Sequence, residues 1–533
     1  MAGFTGVVHR EPDGTLWFDD VAVRSSGDVP RRRAWRGKVF YATSSVMPTD
    51  LFKLMQPGDK ALGPSPGKLT GVIFRIDARR SFRIFTGELW GVKTRDPHLL
   101  DTRIQERMVI SAGAGFDPGT SAAGTAIRRY MRTYDGRDGR PESRKLPCRW
   151  RGLAHAAFHG GPIVVTTASA ENAVHLDIKG AYLDALYQPV PVLGRRELKS
   201  RYKVGGWYTI PGTPWEKVRD YTGLVDATVW IDPASVDKWG IAPLPVKLFS
   251  GSVFPTGVVR GAWTIQAVRE AEERGEVEVR TVHQWAFAPE TMPLFEAMAD
   301  DFRRTPAKVA KLLYTRFWGK WGSRGGFEGV VTTDPPDGSV RAGGLWWSFT
   351  GIDLHSTNGP PTYRPDIAAF IASHNHRKVI HAVRQLRPGS VVAAHVDAIW
   401  TTDLNGAQKL AGQNEVGAWQ RKGDGPLRFY GAGCYDHAGR LGASGYDSTV
   451  FGPLTSASLR DWSANANNTH RRMLFQSRLW SADPAIDPLA TSAPLQMDMS
   501  HHPPPTEGPS IDSDCWTFSG WFSQDSRAAL GLP

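Results

Sequence analysis

Cysteine is scarce: Cys148, Cys434 and Cys515 are the three, far apart and without a C-x-x-C pair. That spacing excludes a disulfide framework and a zinc finger, and fits a reducing compartment. Long apolar runs are missing too. No eighteen uninterrupted apolar residues occur, and the opening "MAGFTGVVHREPDG" has no basic stretch followed by an apolar one, so neither a membrane span nor export is expected. The expected location is the cytoplasm, that of the host if the protein is viral. No period of repeat-protein length is present. Acids are outnumbered, 53 against 64 Lys and Arg, giving a formal charge of +11 and a pI near 9.5. This balance favours a polyanionic partner and equally fits a basic soluble protein. With 533 residues, 41% of them hydrophobic, the chain can build several cored domains.

Residues 1–110 read as β-rich, with "TLWFDDVAV", "KVFYAT" and "KLTGVIFRIDARRSFRIFTG" as strands or hairpins between Gly and Pro. A basic connector is expected over 111–170. Within it, residues 128–151 hold nine Lys or Arg against three acids, with Tyr130, Tyr134 and Trp150 interleaved. Such a stretch is either a solvated loop or a surface for a nucleic-acid backbone. Residues 171–403 mix strands and helices without a βα repeat, which predicts an α+β sheet with helices on one face. A further region with amphipathic pieces spans 404–482, and 483–533 is Pro- and Ser-rich, the composition of a disordered tail. His501 and His502 lie in that tail without further ligands beside them.

Three stretches carry chemistry. In "ENAVHLDIKGAYLDALY", Val174, Leu176 and Ile178 alternate as a strand, sending His175 and Asp177 to the other face just before Gly180. In "SVVAAHVDAIWTTD", Val391–Ala394 and Ala398–Thr401 read as two short strands with His395, Val396 and Asp397 at their bend, so Asp397 belongs at a hairpin tip. In "RRTPAKVAKLLYTRFWGKWG", Thr305 and Pro306 predict a helix start, and the helix is expected over 306–318 with Gly319 ending it. Val309, Leu312, Leu313 and Phe317 form its packing stripe. Lys311, Thr315 and Trp318 follow one another on another side, with Lys308 and Arg316 nearby.

Each acid alone reads as a solvated side chain, and the helix alone as a surface helix. Together, two strand-end carboxylates and a cationic helix point to phosphoryl transfer with metal ions. Mg2+ takes oxygen ligands and keeps substrate phosphates in its shell, so paired aspartates on a rigid sheet suit it. Ile178 adds a backbone carbonyl beside Asp177.

In chain order, Asp177, Lys311, Asp397, the three stretches resemble the palm and fingers of family B DNA polymerases, most closely the protein-primed branch of phages and linear plasmids. "DIKGAYLDAL" keeps Asp177 and Tyr182 of a D-x-x-S-L-Y-P motif. "KLLYTRFWG" keeps Lys311 and Gly319 of K-x-x-x-N-S-x-Y-G, with Thr315 for Asn and Trp318 for Tyr. "HVDA" keeps the second acid of D-T-D-S, Asp397. "AAFHGGP" is similar to the Y-x-G-G element, with Phe158 for Tyr and both Gly160 and Gly161 retained. Two insertions are expected, one within 195–255 and a hairpin-like one over 332–365. Asp366 is then expected to cap an amphipathic helix leading to the Asp397 hairpin.

The resemblance implies a right hand, with an antiparallel palm sheet, helical fingers and a small thumb, preceded by the β-rich N-terminal domain. It implies Asp177, Asp397 and the Ile178 carbonyl as metal ligands. Tyr182 would select the sugar, Lys311, Arg303 and Arg304 would contact the triphosphate, and Thr315 and Trp318 would face the nascent base pair. Phe158, Gly160, Gly161, Lys308 and Tyr435 would touch DNA. Its partners are a DNA primer-template, dNTPs and, in this branch, a terminal protein as primer.

Departures matter. His395 replaces the first acid of the third motif and is a poorer magnesium partner, so activity is expected either to be weakened or to shift toward a softer ion such as Mn2+. Gly433 stands where the K-x-Y element before Tyr435 has lysine. No D-x-E pair lies in an apolar strand of residues 1–150, so no 3′–5′ exonuclease is expected. The alternative reading is a polymerase-like nucleic-acid-binding protein with weakened catalysis.

Overall fold

The computed structural model describes residues 6–24, 35–63, 69–77, 80–133, 148–167, 169–192, 207–208, 213–248, 251–287, 290–323, 325–342, 344–350, 363–412, 414–431, 434–443, 446 and 452–459. Expectations falling on 134–147, on Gly433, on most of 193–212 and on 460–533 lie outside these residues. The chain divides into two compact units. One comprises Met1–Arg137, Ala297–Tyr363 and Asp447–Pro453; the other comprises Asp138–Glu296, Arg364–Tyr446 and Leu454–Pro533.

The first unit contains a ten-stranded sheet. From one edge its strands are Val340–Ala342, Leu345–Phe349, Phe327–Val330, Lys60–Gly63, Gly71–Asp77, Arg80–Thr86, Val39–Ala42, Gly6–Arg10, Leu16–Phe18 and Val21–Val23. Alternation builds them: Val72 and Phe74 on one strand and Phe82 and Ile84 on the next turn the same way into the core. Phe74 stacks on Phe82 at 5.0 Å, and Trp35 meets Phe18, Phe40 and Phe82. Such ring pairs add to the large apolar area that aromatic side chains bury. The hairpin expected within 332–365 is present as Val340–Ala342 and Leu345–Phe349, and through Phe327–Val330 it extends the N-terminal sheet at Lys60–Gly63.

In the same unit, helices Ala122–Thr133 and Ala307–Trp321 pack through Tyr130, Phe317 and Trp321. The helix expected over 306–318 thus starts later and runs further. Thr305 does not cap it, because its hydroxyl donates to the Asp301 carbonyl of the preceding helix, Glu296–Arg304; Pro306 is the cap residue. Gly319 lies inside the helix, where the buried Trp321 ring holds one further turn. Tertiary packing overrides the glycine's weak propensity here.

The second unit is organised on a seven-stranded antiparallel sheet. Its order is Arg440–Ala443, Cys434–His437, Trp419–Gly431, Ser169–Ile178, Ala398–Thr401, Val391–His395 and Ile163–Val165. One face joins the large core: Val174, Leu176, Ile178 and Ile399 pack with Ala369, Val379, Ile380 and Val383 of the helix Pro365–Val383, and with Leu153 and Ala154 of Cys148–Ala157. The other face carries a smaller cluster around Trp400, Leu427 and Phe429. A separate four-stranded antiparallel sheet, Trp207–Tyr208, Val277–Phe287, Gly223–Ile231 and Gly257–Thr264, contributes Val225, Ala227 and Val229 to the large core.

Asp366 does not cap the helix that follows it. The helix begins at Pro365, and Asp366, in its first turn, accepts two bonds from the buried Arg364 guanidinium, at 2.9 and 2.6 Å. The ion pair keeps the carboxylate from the backbone amides a cap would serve.

Candidate active site

The strand Ser169–Ile178 places its last acid by parity. Val174, Leu176 and Ile178 point into the core, so His175 and Asp177 point to the other face. Gly180 then adopts φ +62°, a conformation that costs glycine little, and turns the chain into the helix Ala181–Leu186, which carries Tyr182. Tyr182 is half-buried. Burial, followed by the charge of Asp397, pushes its hydroxyl pKa up, so phenol and carboxylate are near neighbours.

Asp397 sits in a two-residue turn. His395 pairs with Ala398 across the hairpin, and Ala398 pairs with Asp177 on the next strand. The Ile178 N–H donates to the Asp397 carbonyl at 2.9 Å. Both acids therefore end adjacent strands, at the same end of the sheet. The turn is strained: Val396 has φ +59°, a genuine outlier for a β-branched residue.

Two contacts hold it there. The Val396 N–H donates to the Pro162 carbonyl, and Gly161 lies so close that a Cβ would stand 2.7 Å from the Val396 Cα. Gly161 is thus required by contact with the acid-bearing turn, whereas a Cβ on Gly160 would meet open space. Phe158, just before them, packs against the large core.

Cations and aromatics surround Asp177. The Lys422 ammonium lies 3.3 Å from its Oδ2. Tyr435, on Cys434–His437, has its phenol pKa pushed up by burial and then by the Asp177 charge. His175 stacks on Trp400 at 4.3 Å, and burial, then His437, Lys422, Arg440 and His395, push its pKa down to about 4. The imidazole beneath the acids is neutral at ordinary pH.

The second unit thus brings together Asp177, Ile178, Tyr182, Asp397, Gly161 and Tyr435. Arg303, Arg304, Lys308, Lys311, Thr315 and Trp318 belong to the first unit. Arg303, Lys308 and Lys311 are exposed there, and Lys308, Lys311, Thr315 and Trp318 follow one stripe of Ala307–Trp321. Arg304 is bound to Asp301 at 2.6 Å, and the Thr315 hydroxyl donates to the Lys311 carbonyl at 2.6 Å. Lys422 is a neighbour of Asp177 that the sequence does not announce. Only the pairing of two distant strands reveals what the lysine faces.

No protein-family model matches the chain, and no curated protein does. Solved structures do match. The fold is similar to that of Phi29 DNA polymerase. Phi29 DNA polymerase complexed with primer-template DNA superposes with a TM-score of 0.58 at 11% identity, over 85% of this chain and 93% of that one. The Phi29 complex with primer-template DNA and incoming nucleotides gives 0.57 at 10%, over 85% and 93%. The complex with single-stranded DNA gives 0.58 at 11%, over 85% and 94%. At these identities the likeness to Phi29 polymerase is one of a mixed α+β fold.

Among the described residues no group of three or more His, Cys, Asp or Glu is placed to hold a metal ion. The donors at the strand ends are two carboxylates and a main-chain carbonyl, all oxygen. That set fits Mg2+, which completes its shell with water and substrate phosphates, better than it fits a softer ion. No described helix is long and apolar enough to cross a membrane.

Proposed function

We propose that this chain is a template-directed DNA polymerase that adds deoxynucleotides to a 3′-hydroxyl by two-metal nucleotidyl transfer. The observation that carries the reading is the pairing of the Asp397 turn with the end of the Asp177 strand, through Ala398–Asp177 and the Ile178–Asp397 bond. In this reading the strands that carry Asp177 and Asp397 belong to the palm of a right hand, residues 171–403 make palm and fingers with two insertions, 404–482 include a thumb-like region, and 1–110 are a β-rich domain of unknown role, a degenerate or replaced exonuclease region. The likeness to Phi29 polymerase bound to primer-template DNA and nucleotides supports it.

Asp177, Asp397 and the Ile178 carbonyl would hold Mg2+ or Mn2+. The bound ions would supply activation of the attacking hydroxyl and neutralisation of the leaving pyrophosphate. The protein's own residues do the rest. Tyr182 lies against the sugar and excludes a 2′-hydroxyl. Lys311, with Arg303 and Arg304, holds the triphosphate in line, and Thr315 and Trp318 flank the new pair. Phe158, Gly160, Gly161, Lys308 and Tyr435 hold DNA. The primer is a DNA end or a terminal protein's hydroxyl.

Primer extension in Mg2+ and in Mn2+ tests the reading. Asp397→Ala should lose on the order of 10²–10³-fold or more in rate, because it removes charge stabilisation in the transition state. Extension that survives this change would refute the mechanism. His395 beside the turn, in place of an acid, favours a second reading, a DNA-binding protein with weakened catalysis, which predicts salt-sensitive binding and no incorporation in either metal.

A further inference from the structure

The sheet delivers a lysine to the first acid by a defined irregularity. Strand Trp419–Gly431 pairs with Ser169–Ile178 so that Gln420 faces Asp177, Arg421 faces Leu176 and Gly423 faces His175. Lys422 is the extra residue, a β-bulge. Bulges re-aim side chains, and this one aims an ammonium at Asp177 Oδ2, 3.3 Å away. The bulge is held from both sides. Arg440 donates to the Lys422 carbonyl at 2.7 Å, and the Lys422 ammonium also donates to Gln420 Oε1 at 3.0 Å. Arg421, next to it, is occupied with Asp424 at 3.0 Å.

Resting on the polymerase reading, we propose that Lys422 is the counter-ion of Asp177 in the metal-free protein, and that it passes to a phosphodiester oxygen of the primer strand when a divalent cation takes the carboxylate. The exchange follows from electrostatics. A doubly charged ion needs the carboxylate oxygen at about 2.0–2.1 Å, and a neighbouring ammonium repels it, so the two compete for one site. Lys422 is about one-third exposed, on a flexible four-carbon stem, and free to swing on release. The anion nearest a 3′-hydroxyl poised at the acids is the last phosphate of the primer. Lys422 is thus a positioning residue that couples metal loading to primer engagement.

The test uses the full chain. Mn2+ is titrated without DNA and followed by the electron paramagnetic resonance of the free ion. Binding of a duplex with a recessed 3′ end, and of single-stranded template alone, is followed by fluorescence anisotropy in Mn2+ without dNTP. Lys422→Ala should bind Mn2+ about two- to fivefold more tightly, the scale of a partly exposed ion pair. It should bind the primed duplex more weakly, with a salt slope shallower by about 0.9, and the single strand unchanged. Lys422→Arg should restore both values.

Unchanged Mn2+ affinity, or equal losses on primed and single-stranded DNA, would overturn the proposal. Asp177→Asn separates this failure from failure of the polymerase reading. If it abolishes Mn2+ binding while Lys422→Ala leaves it unaltered, only the role of Lys422 falls. If it leaves Mn2+ binding intact, the two-acid site itself falls.

Discussion

Among the described residues with positive φ, Asp19, Val396 and Ala438 are the non-glycines, and only Val396 is β-branched. Holding such a residue in the left-handed region costs about 1–2 kcal/mol, which the hairpin pairing and the contact with Gly161 offset. Val396→Gly should therefore raise thermal stability, by up to about 1 kcal/mol once glycine's greater unfolded-state entropy is subtracted, while slowing incorporation because Asp397 is held less firmly. Gly161→Ala should do the reverse to stability. Its Cβ would stand 2.7 Å from main-chain Val396 Cα, a backbone atom that cannot swing aside, so about 1–3 kcal/mol and most of the activity should be lost. Tyr182→Ala should admit ribonucleotides, read as the ratio of rNTP to dNTP incorporation. Unchanged sugar selection would remove Tyr182 from the site. At this scale Asp177 was legible because strand parity fixes which face a side chain takes. Lys422 was not, since a bulge is an event between two strands and leaves no mark on either alone.

Among elements, the helix Pro365–Val383 carries the clearest pH signature. His376 is buried within it, its Nε2 3.0 Å from the Pro243 carbonyl, and burial pushes its pKa down to about 4. The unfolded chain takes up a proton near pH 6.5 while the folded one does not until about 4, so stability is intact above pH 6.5 and is lost as pH falls through that window. His283, on Val277–Phe287, acts in the same direction for the same first cause, burial. Melting temperatures should drop between pH 7 and pH 5, and His376→Gln should flatten the drop. In the four-stranded sheet, Asp226 is fully buried against Arg260, bonded at 3.1 and 2.8 Å. Arg260→Ala leaves that carboxylate unpaired and should cost about 3–5 kcal/mol, visible in thermal unfolding. Element types were largely readable from periodicity. Ends were not: Thr305-Pro306 and Asp366 both look like helix starts, and each polar side chain is taken by a partner that local sequence does not name, the Asp301 carbonyl and the Arg364 guanidinium.

At the scale of the whole chain, the proposed function and the formal charge of +11 together predict salt-sensitive DNA binding. If six phosphates are contacted, affinity for a primed duplex should fall about 10³-fold between about 50 and 200 mM salt. The α+β architecture of the second unit could be anticipated from mixed strands and helices. The partnership of residues 327–349 with the N-terminal sheet could not, because nothing local in either segment specifies so remote a mate. That seam is tied by Lys60 and Glu328, 2.8 Å apart in space and 268 positions apart along the chain. A ribosome must therefore finish the whole of the second unit's first segment before the first sheet can close. Until then, Lys60–Gly63 is an open edge offered to any passing strand. A fragment ending near residue 110 should aggregate for want of its late-arriving neighbour, and adding residues 325–350 in trans should keep it in solution.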